Sequence, residues 1–387
     1  MIVYVTTQGA KILKEGRHLL IKKDGATHQT LFTYKLQQLI ICGRVELTQP
    51  ALAFLLREQI DTVFLRFDGR YLGRLSSAES KNMFLRKKQF SLLDDQSFCL
   101  RVARQLLRGK FLNMITILQR IGRTRKNRAV APCIQQIRNS LHNLSAAASI
   151  GVLMGYEGSA TAAYFSGFRM GLDHDFGFVR RIRRPPTDPV NSVLSLLYTM
   201  LINRVYAAIR IAGLDPYPGV LHSSDYGRQA LPLDLVEEFR AILADTLTLS
   251  LFNLRTLQPA DFEKIEPEPV RQPEAETDTP ESNLTAVLND PLGRMNSCDA
   301  ESIFDIPSQQ TLNPVEAESN GNKLSIKLTP TAFRQVLTAF ERKLAKEFFH
   351  PLAERRISYA EALVFQARQY RRVVEGEITE YQPLLLK

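Results

Sequence analysis

Apolar and polar positions alternate with a period of two along much of residues 2–75. IVYVT (2–6), AKILKE (10–15), HLLIKK (18–23), QLIICG (38–43), DTVFLR (61–66) and YLGRL (71–75) are short, β-branched or alternating, and separated by Gly, Asp and charged turns, which predicts strands. PALAFLLREQI (50–60) interrupts them with helical spacing; Thr48 stands at its expected N-cap and Pro50 in its first turn. From about residue 79 the period lengthens. Segments 79–92, 96–121, 132–154, 157–171, 189–213, 232–252 and 329–376 carry apolar residues at i, i+3, i+4 and i+7, the spacing of one helix face. The pattern predicts an α+β chain, with a small β-rich domain at 1–78 and a larger all-helical domain at 79–258 plus 322–387.

Two stretches fit neither period. The connection 172–188 contains RRIRRPPTDP (180–189), whose double proline forces an extended approach to a helix starting near Pro189. Residues 259–321 hold eight of the nineteen prolines and few aromatics. Such a stretch cannot bury enough apolar area to offset its ordering entropy, so a disordered acidic insertion is expected there.

Composition narrows the class. The 387 residues are 44% hydrophobic and 23% charged, enough apolar material for two cores. No apolar run reaches the roughly eighteen residues of a membrane helix, and the first residues lack the pattern of an export signal. The four cysteines, Cys42, Cys99, Cys133 and Cys298, are scattered without a C-x-x-C pair, against a disulfide framework or a zinc ribbon. A soluble cytoplasmic protein is expected. The net charge of +10 is uneven: residues 266–320 carry twelve acids and two arginines, leaving 48 basic against 28 acidic residues elsewhere, a balance of +20. A body that basic points to a polyanionic partner, most often nucleic acid.

Candidate chemistry sits in two segments. GYEGSATAAYFSGF (155–168) places one carboxylate, Glu157, between two glycines. PYPGVLHSSDYGRQALPLDLVEEFRAILAD (216–245) offers His222 in a Gly- and Ser-containing loop, then a helix beginning near Pro232. On that helix Leu235, Val236, Phe239, Ile242 and Leu243 share one face, while Asp234, Glu237 and Glu238 fall on the other. Asp234 and Glu237, at i and i+3, are side by side and need solvent, an arginine or a metal. One imidazole with two or three carboxylates suits Mg²⁺ or Mn²⁺ and accepts Zn²⁺. A hard cation held so can polarise a phosphodiester and activate an oxygen nucleophile. Spacing equally admits Glu157 as an acid at a helix N-terminus, His222 as a loop hydrogen-bonder and the other acids as a solvated face.

MGYEGSATAAYF (154–165), RRPPTDPVNSVLSLLYTML (183–201) and GLDPYPGVLHSSDYGRQALPLDLVEEFR (213–240) resemble, in order and spacing, three signature blocks of the CRISPR-associated integrase family of spacer acquisition. The resemblance covers about 1–258 and 322–387; the acidic insertion departs from compact members of the family. It implies metal ligands Glu157, His222 and Glu237, choosing Glu237 over Glu238, with Asp234 as a fourth ligand or an outer partner that orients the others. It further implies Mg²⁺ or Mn²⁺, a homodimer through the β-rich domain, and a small ferredoxin-like CRISPR-associated partner bridging two dimers. The reaction it implies is ATP-independent transesterification, in which the 3′-hydroxyl of captured DNA attacks the repeat array.

Basic clusters supply a phosphate-tracking surface for DNA: Arg86, Lys87 and Lys88; Arg101, Arg104 and Arg108 on one helical face; Arg123, Arg125, Lys126 and Arg128; and Arg180, Arg181, Arg183 and Arg184. His174, between two aspartates, reads as a polar loop residue, and His18, His28, His142 and His350 have no acid at a useful spacing. Lipase, Walker A and dinucleotide motifs are absent. Two other functions fit the same features: a metal-dependent repair nuclease of branched DNA, and a DNA-binding scaffold without chemistry.

Overall fold

The computed structural model describes residues 2–66, 69, 71–75, 82–182, 185–222, 228–265 and 325–386. Its first part holds strands β1 (Ile2–Val5), β2 (Ala10–Glu15), β3 (His18–Lys23), β4 (Ala26–Phe32), β5 (Gln38–Cys42), β6 (Val45–Leu47), β7 (Asp61–Leu65) and β8 (Tyr71–Leu75), with helix α1 (Gln49–Arg57) among them. They form two four-stranded sheets, ordered β4-β3-β2-β6 and β1-β5-β7-β8. In the second sheet β1, β5 and β7 run parallel and β8 antiparallel. Leu39 and Ile41 of β5 join Ile12, Leu19, Leu31, Phe54 and Leu55 in a core between the sheets and α1. Ile40 and Cys42 point the other way, into the helical core. A strand buried on both faces has a continuous apolar run, which is how QLIIC reads.

β4 and β6 are additional to the strands expected from sequence. Only Leu31 of β4 is buried, so its sequence, ATHQTLF, carries no alternation; its ladder to β3 holds it in the sheet. Thr48 does occupy the N-cap of α1, although its hydroxyl donates to the Ile12 carbonyl at 3.1 Å and accepts from no helix amide.

Helices α2 (Met83–Ser91), α3 (Gln96–Thr124), α4 (Val130–Asn143), α5 (Ile150–Arg169), α6 (Pro189–Ile211), α7 (Ala230–Phe239), α8 (Thr246–Asn253), α9 (Pro330–Ala345) and α10 (Tyr359–Glu375) build the body. The expected division 132–154 and 157–171 falls elsewhere. α4 ends at Asn143, and α5 starts behind Ser149, whose hydroxyl accepts from the Val152 amide at 3.3 Å, and runs straight through GYEG. Glu157 therefore stands mid-helix, not at an N-terminus. Segment 232–252 begins earlier and is continuous through a π-helical turn, Arg240–Asp245. Segment 329–376 is two helices separated by a hairpin, β11 (Glu347–His350) and β12 (Arg355–Ser358). The expected insertion begins too early at 259. A 3₁₀ turn at Pro259–Asp261 leads into β9 (Phe262–Ile265), which pairs antiparallel with β10 (Ser325–Leu328). Residues 266–321 lie outside the described residues.

α6, with 23 residues, has the length and mean hydropathy of a helix that could cross a bilayer, although no unbroken apolar run in it reaches eighteen residues. Within this fold 78% of its most apolar window is buried in protein. Asn191, Asn203 and Arg204 interrupt it, each with partners: Asn191 with Arg180 and Asp188, Asn203 with Thr199 and Arg74, and Arg204 with Glu341.

The C-terminal tail is part of the core. Gln382 bonds α10 through Gln369, and Leu384 and Leu386 bond Asn113 of α3. Gly109 makes room for it: a Cβ there would lie 2.3 Å from Pro383 Cβ. Buried polar groups tie the other side. Tyr164 of α5 and Tyr198 of α6 both donate to Asp245, at 2.8 and 2.7 Å.

Gly109→Ala overpacks the tail contact and is expected to cost about 1–3 kcal/mol. Limited proteolysis of the last residues should accelerate in parallel, whereas unchanged protection means the tail tolerates a methyl. Asp245 gives a pH dependence. Burial raises its carboxyl from 3.8 to about 6, so the folded chain holds the proton more tightly than the unfolded one. Its contribution is complete below the unfolded value and is lost as pH climbs through about 6. Denaturant melts at pH 5 and 7.5 should show Asp245→Asn flattening the wild-type fall in stability by about 1 kcal/mol. Parallel curves for the two proteins contradict that.

Candidate active site

Asp234 organises the site from below. Gly219 lets the backbone of PGVLH fold onto α7, because a Cβ there would sit 2.6 Å from Ala230 Cβ and 2.9 Å from the Asp234 carboxylate. The approach brings three amides to that carboxylate: Val220 donates to Oδ2 at 2.6 Å, Leu221 to Oδ2 at 3.0 Å and His222 to Oδ1 at 3.0 Å. The His222 ring completes the set, with Nδ1 2.7 Å from Oδ1. An accepting carboxylate puts the proton on Nδ1, so a neutral ring offers the lone pair of Nε2 outward. Nε2 is buried, has no hydrogen-bond partner among the described residues, and lies 3.9 Å from Glu237 Oε1. With both oxygens engaged by the 220–222 segment, Asp234 is the outer partner of His222.

Glu157 of α5 and Glu237 of α7 meet at a residue absent from the sequence reading. Lys110 of α3 bonds Glu157 Oε1 and stands 2.7 Å from Glu237 Oε2, with only 3% of its side chain exposed. Arg240, one turn beyond Glu237, reaches Oε1 at 3.1 Å and lies over the Tyr198 ring at 5.0 Å. Two carboxylates thus face two cations. Burial would push the Glu237 carboxyl up, but Arg240, Lys110 and His222 outweigh it and hold it well below the usual range. Neighbouring Glu238 turns away to the tail, accepting from Tyr381 Oη at 2.5 Å and the Leu384 amide at 2.6 Å. Among the described residues no cation offsets its burial, and its carboxyl rises to about 7. The two adjacent glutamates point about 100° apart around α7 and meet different surroundings.

The acids of α7 do not form a solvated face. Asp234, Glu237 and Glu238 are each 0% exposed, because α3, α6 and the tail cover the side opposite the apolar stripe. Periodicity reports which residues are apolar; it does not report that a polar face is paid for by buried partners. Lys110 had one signal in sequence, a lone cation within KFLNMITIL (110–118). Arg240 had the i, i+3 spacing to Glu237.

The donor atoms suit a hard divalent ion: two carboxylates and an orphaned imidazole nitrogen are drawn toward one region, and a cation already bridges the carboxylates. Among the described residues no three His, Cys, Asp or Glu groups close on a common point, because Lys110 stands between Glu157 and Glu237.

The expected DNA-contacting cations divide. Lys87, Arg101 and Arg108 are exposed. Arg86 pairs with Asp215 at 2.7 Å, Lys88 donates to the Glu375 carbonyl at 2.8 Å, and Arg104 donates to the Ala147 carbonyl at 2.7 Å. Arg183 and Arg184 lie outside the described residues. Arg125 pairs with Asp173, and His174 lies exposed with its Nε2 3.5 Å from Arg255. His18 does have an acidic neighbour, Glu15 at 3.5 Å across the β2–β3 hairpin. Cys42, Cys99 and Cys133 are free, and Cys298 lies outside the described residues.

Residues 3–274 match the model of the family described as CRISPR associated protein Cas1. The chain is 30% identical over 389 residues to CRISPR-associated endonuclease Cas1 3 of Thermus thermophilus, covering 100% of this chain and 97% of that one. Among solved structures, a casposase bound to integration product superposes with a TM-score of 0.74 at 18% identity, covering 98% of this chain and 92% of the other. A chain of a Cas6-RT-Cas1–Cas2 complex gives a TM-score of 0.76 at 22% identity, covering all of this chain but only 36% of that longer one. Both likenesses show the fold, a strand-rich start followed by a helical body. With 272 matched residues spanning its β sheets, α5 and α7, this chain belongs to the CRISPR-associated Cas1 family.

Proposed function

We propose that this chain is a DNA endonuclease and integrase of CRISPR adaptation, with Glu157, His222 and Glu237 holding Mg²⁺ or Mn²⁺. One observation carries the reading: two carboxylates from α5 and α7 share one buried cation, with an unpaired imidazole nitrogen 3.9 Å from the second. When bound, the ion would supply Lewis-acid polarisation of the scissile phosphodiester. The chain's own residues set the stage. Asp234 fixes the His222 tautomer and ring direction, and Arg240 fixes Glu237. Lys87, Arg101 and Arg108 are available to phosphates, and Gly155, with open space where a Cβ would be, lets DNA approach α5 beside Glu157. Transfer joins the 3′-oxygen of captured DNA to a repeat phosphorus as the P–O bond to the displaced strand breaks. The numbers of phosphodiester bonds before and after are equal, so no ATP is needed.

The relatives' names support the partners. The longer chain of similar fold is from a complex with Cas2, and we propose a small Cas2-type partner bridging homodimers formed through the β-rich domain. A cytoplasmic location follows from this role.

Glu157→Gln should lower Mn²⁺-dependent cleavage and integration by more than about a hundredfold while DNA binding persists. Unchanged activity would leave a scaffold. Resolution of branched junctions with no integration into a supercoiled repeat target, even with the partner present, would favour a repair nuclease. Asp234→Asn should lose activity by about 10–100-fold at low Mn²⁺ and recover part of it at high Mn²⁺, because the defect lies in orienting a ligand. A loss independent of Mn²⁺ concentration contradicts that role.

A further inference from the structure

Resting on the reading that Glu157, His222 and Glu237 bind a divalent ion, we propose that Lys110 is a placeholder for it. Its ammonium occupies the cation position between the two carboxylates in the metal-free protein and leaves when the ion enters.

Three observations lead there. Nζ engages one oxygen of each glutamate, the place from which an ion bridging them would coordinate. Mg²⁺ and similar ions sit about 2.0–2.2 Å from carboxylate oxygens. An ion bound to Glu237 Oε2 would share that oxygen with Nζ, 2.7 Å away, and the two positive charges would repel at close range in a buried site. Charge gives the second reason. Glu157 and Glu237 are matched one for one by Lys110 and Arg240, so simply adding an ion brings two further positive charges to this group. Exchange removes one of them. Mobility identifies which cation yields. Arg240 lies over the Tyr198 ring and is confined next to Glu237, whereas Lys110 is a point charge on a flexible four-carbon stem.

Two properties follow. Lys110 keeps two buried carboxylates from repelling each other before metal arrives, so the empty site stays folded. It also weakens metal binding, since every ion must displace it. A phosphate of bound DNA gives the departing ammonium a new partner, which ties metal occupancy to substrate.

The test uses the full chain, wild type and two neutral variants, Lys110→Met and Lys110→Gln, the second retaining a hydrogen-bond donor. Mn²⁺ binding is followed by the electron paramagnetic resonance of free Mn²⁺, and thermal melting is recorded in EDTA and in Mn²⁺. Both variants should melt earlier than wild type in EDTA, be stabilised more by Mn²⁺, and bind the ion on the order of tenfold tighter. Variants that fold only when Mn²⁺ is present give the same answer in stronger form. Wild type that binds Mn²⁺ with variants that bind it equally or more weakly overturns the placeholder and leaves the metal site standing. Variants that stay unfolded even in Mn²⁺ also overturn it, because the ion should replace the missing charge. Absence of Mn²⁺ binding by all three proteins removes the metal site itself, and the placeholder with it.

Discussion

Four buried charges from three helices hold the centre of this molecule together: Glu157 of α5, Lys110 of α3, and Glu237 with Arg240 around α7. Charges out of water are tolerated only when matched, and removing one partner leaves another uncompensated. That requirement fixes the helices relative to one another. α3 must present Lys110 at the level where α5 presents Glu157. The 220–222 segment must wrap tightly enough over α7 for Asp234 to collect three amides and the His222 ring. The tail then seals the reverse side of α7 through Glu238. The site is built into the core of the helical body.

That placement reconciles stability with chemistry. A metal site made only of carboxylates would carry unbalanced negative charge whenever it was empty. Here the protein supplies its own cations, and burial sharpens their effect on Glu237. Neighbouring carboxylates on one helix consequently diverge, Glu237 held low by facing cations and Glu238 raised by burial without one. One helical step of about 100° carries the two glutamates into different environments.

Much of the fold was legible in residue pattern. QLIIC reads as a strand covered on both faces, and α6 begins at Pro189 where the double proline directs the chain. The misses share a cause. β4 lacks alternation because one face has little to cover, so only its pairing with β3 defines it. The break expected between residues 154 and 157 is absent, because Ser149 caps a helix that runs straight through Gly155. Within the site, the family blocks named Glu157, His222, Asp234 and Glu237, but Lys110 lies 47 residues from its partner Glu157, in a different helix. Pairing across that separation is set by tertiary packing. Two of the arginines expected to track phosphate, Arg86 and Arg104, are engaged by Asp215 and the Ala147 carbonyl, pairings equally set by tertiary packing.

The most direct test is anomalous diffraction from crystals of the full chain soaked in Mn²⁺. The account predicts a single strong peak between α5 and α7, within coordination distance of Glu157, Glu237 and Nε2 of His222, with Asp234 still bonded to Nδ1. A peak held by other residues, or Lys110 still bridging the two glutamates in crystals saturated with the ion, would contradict it.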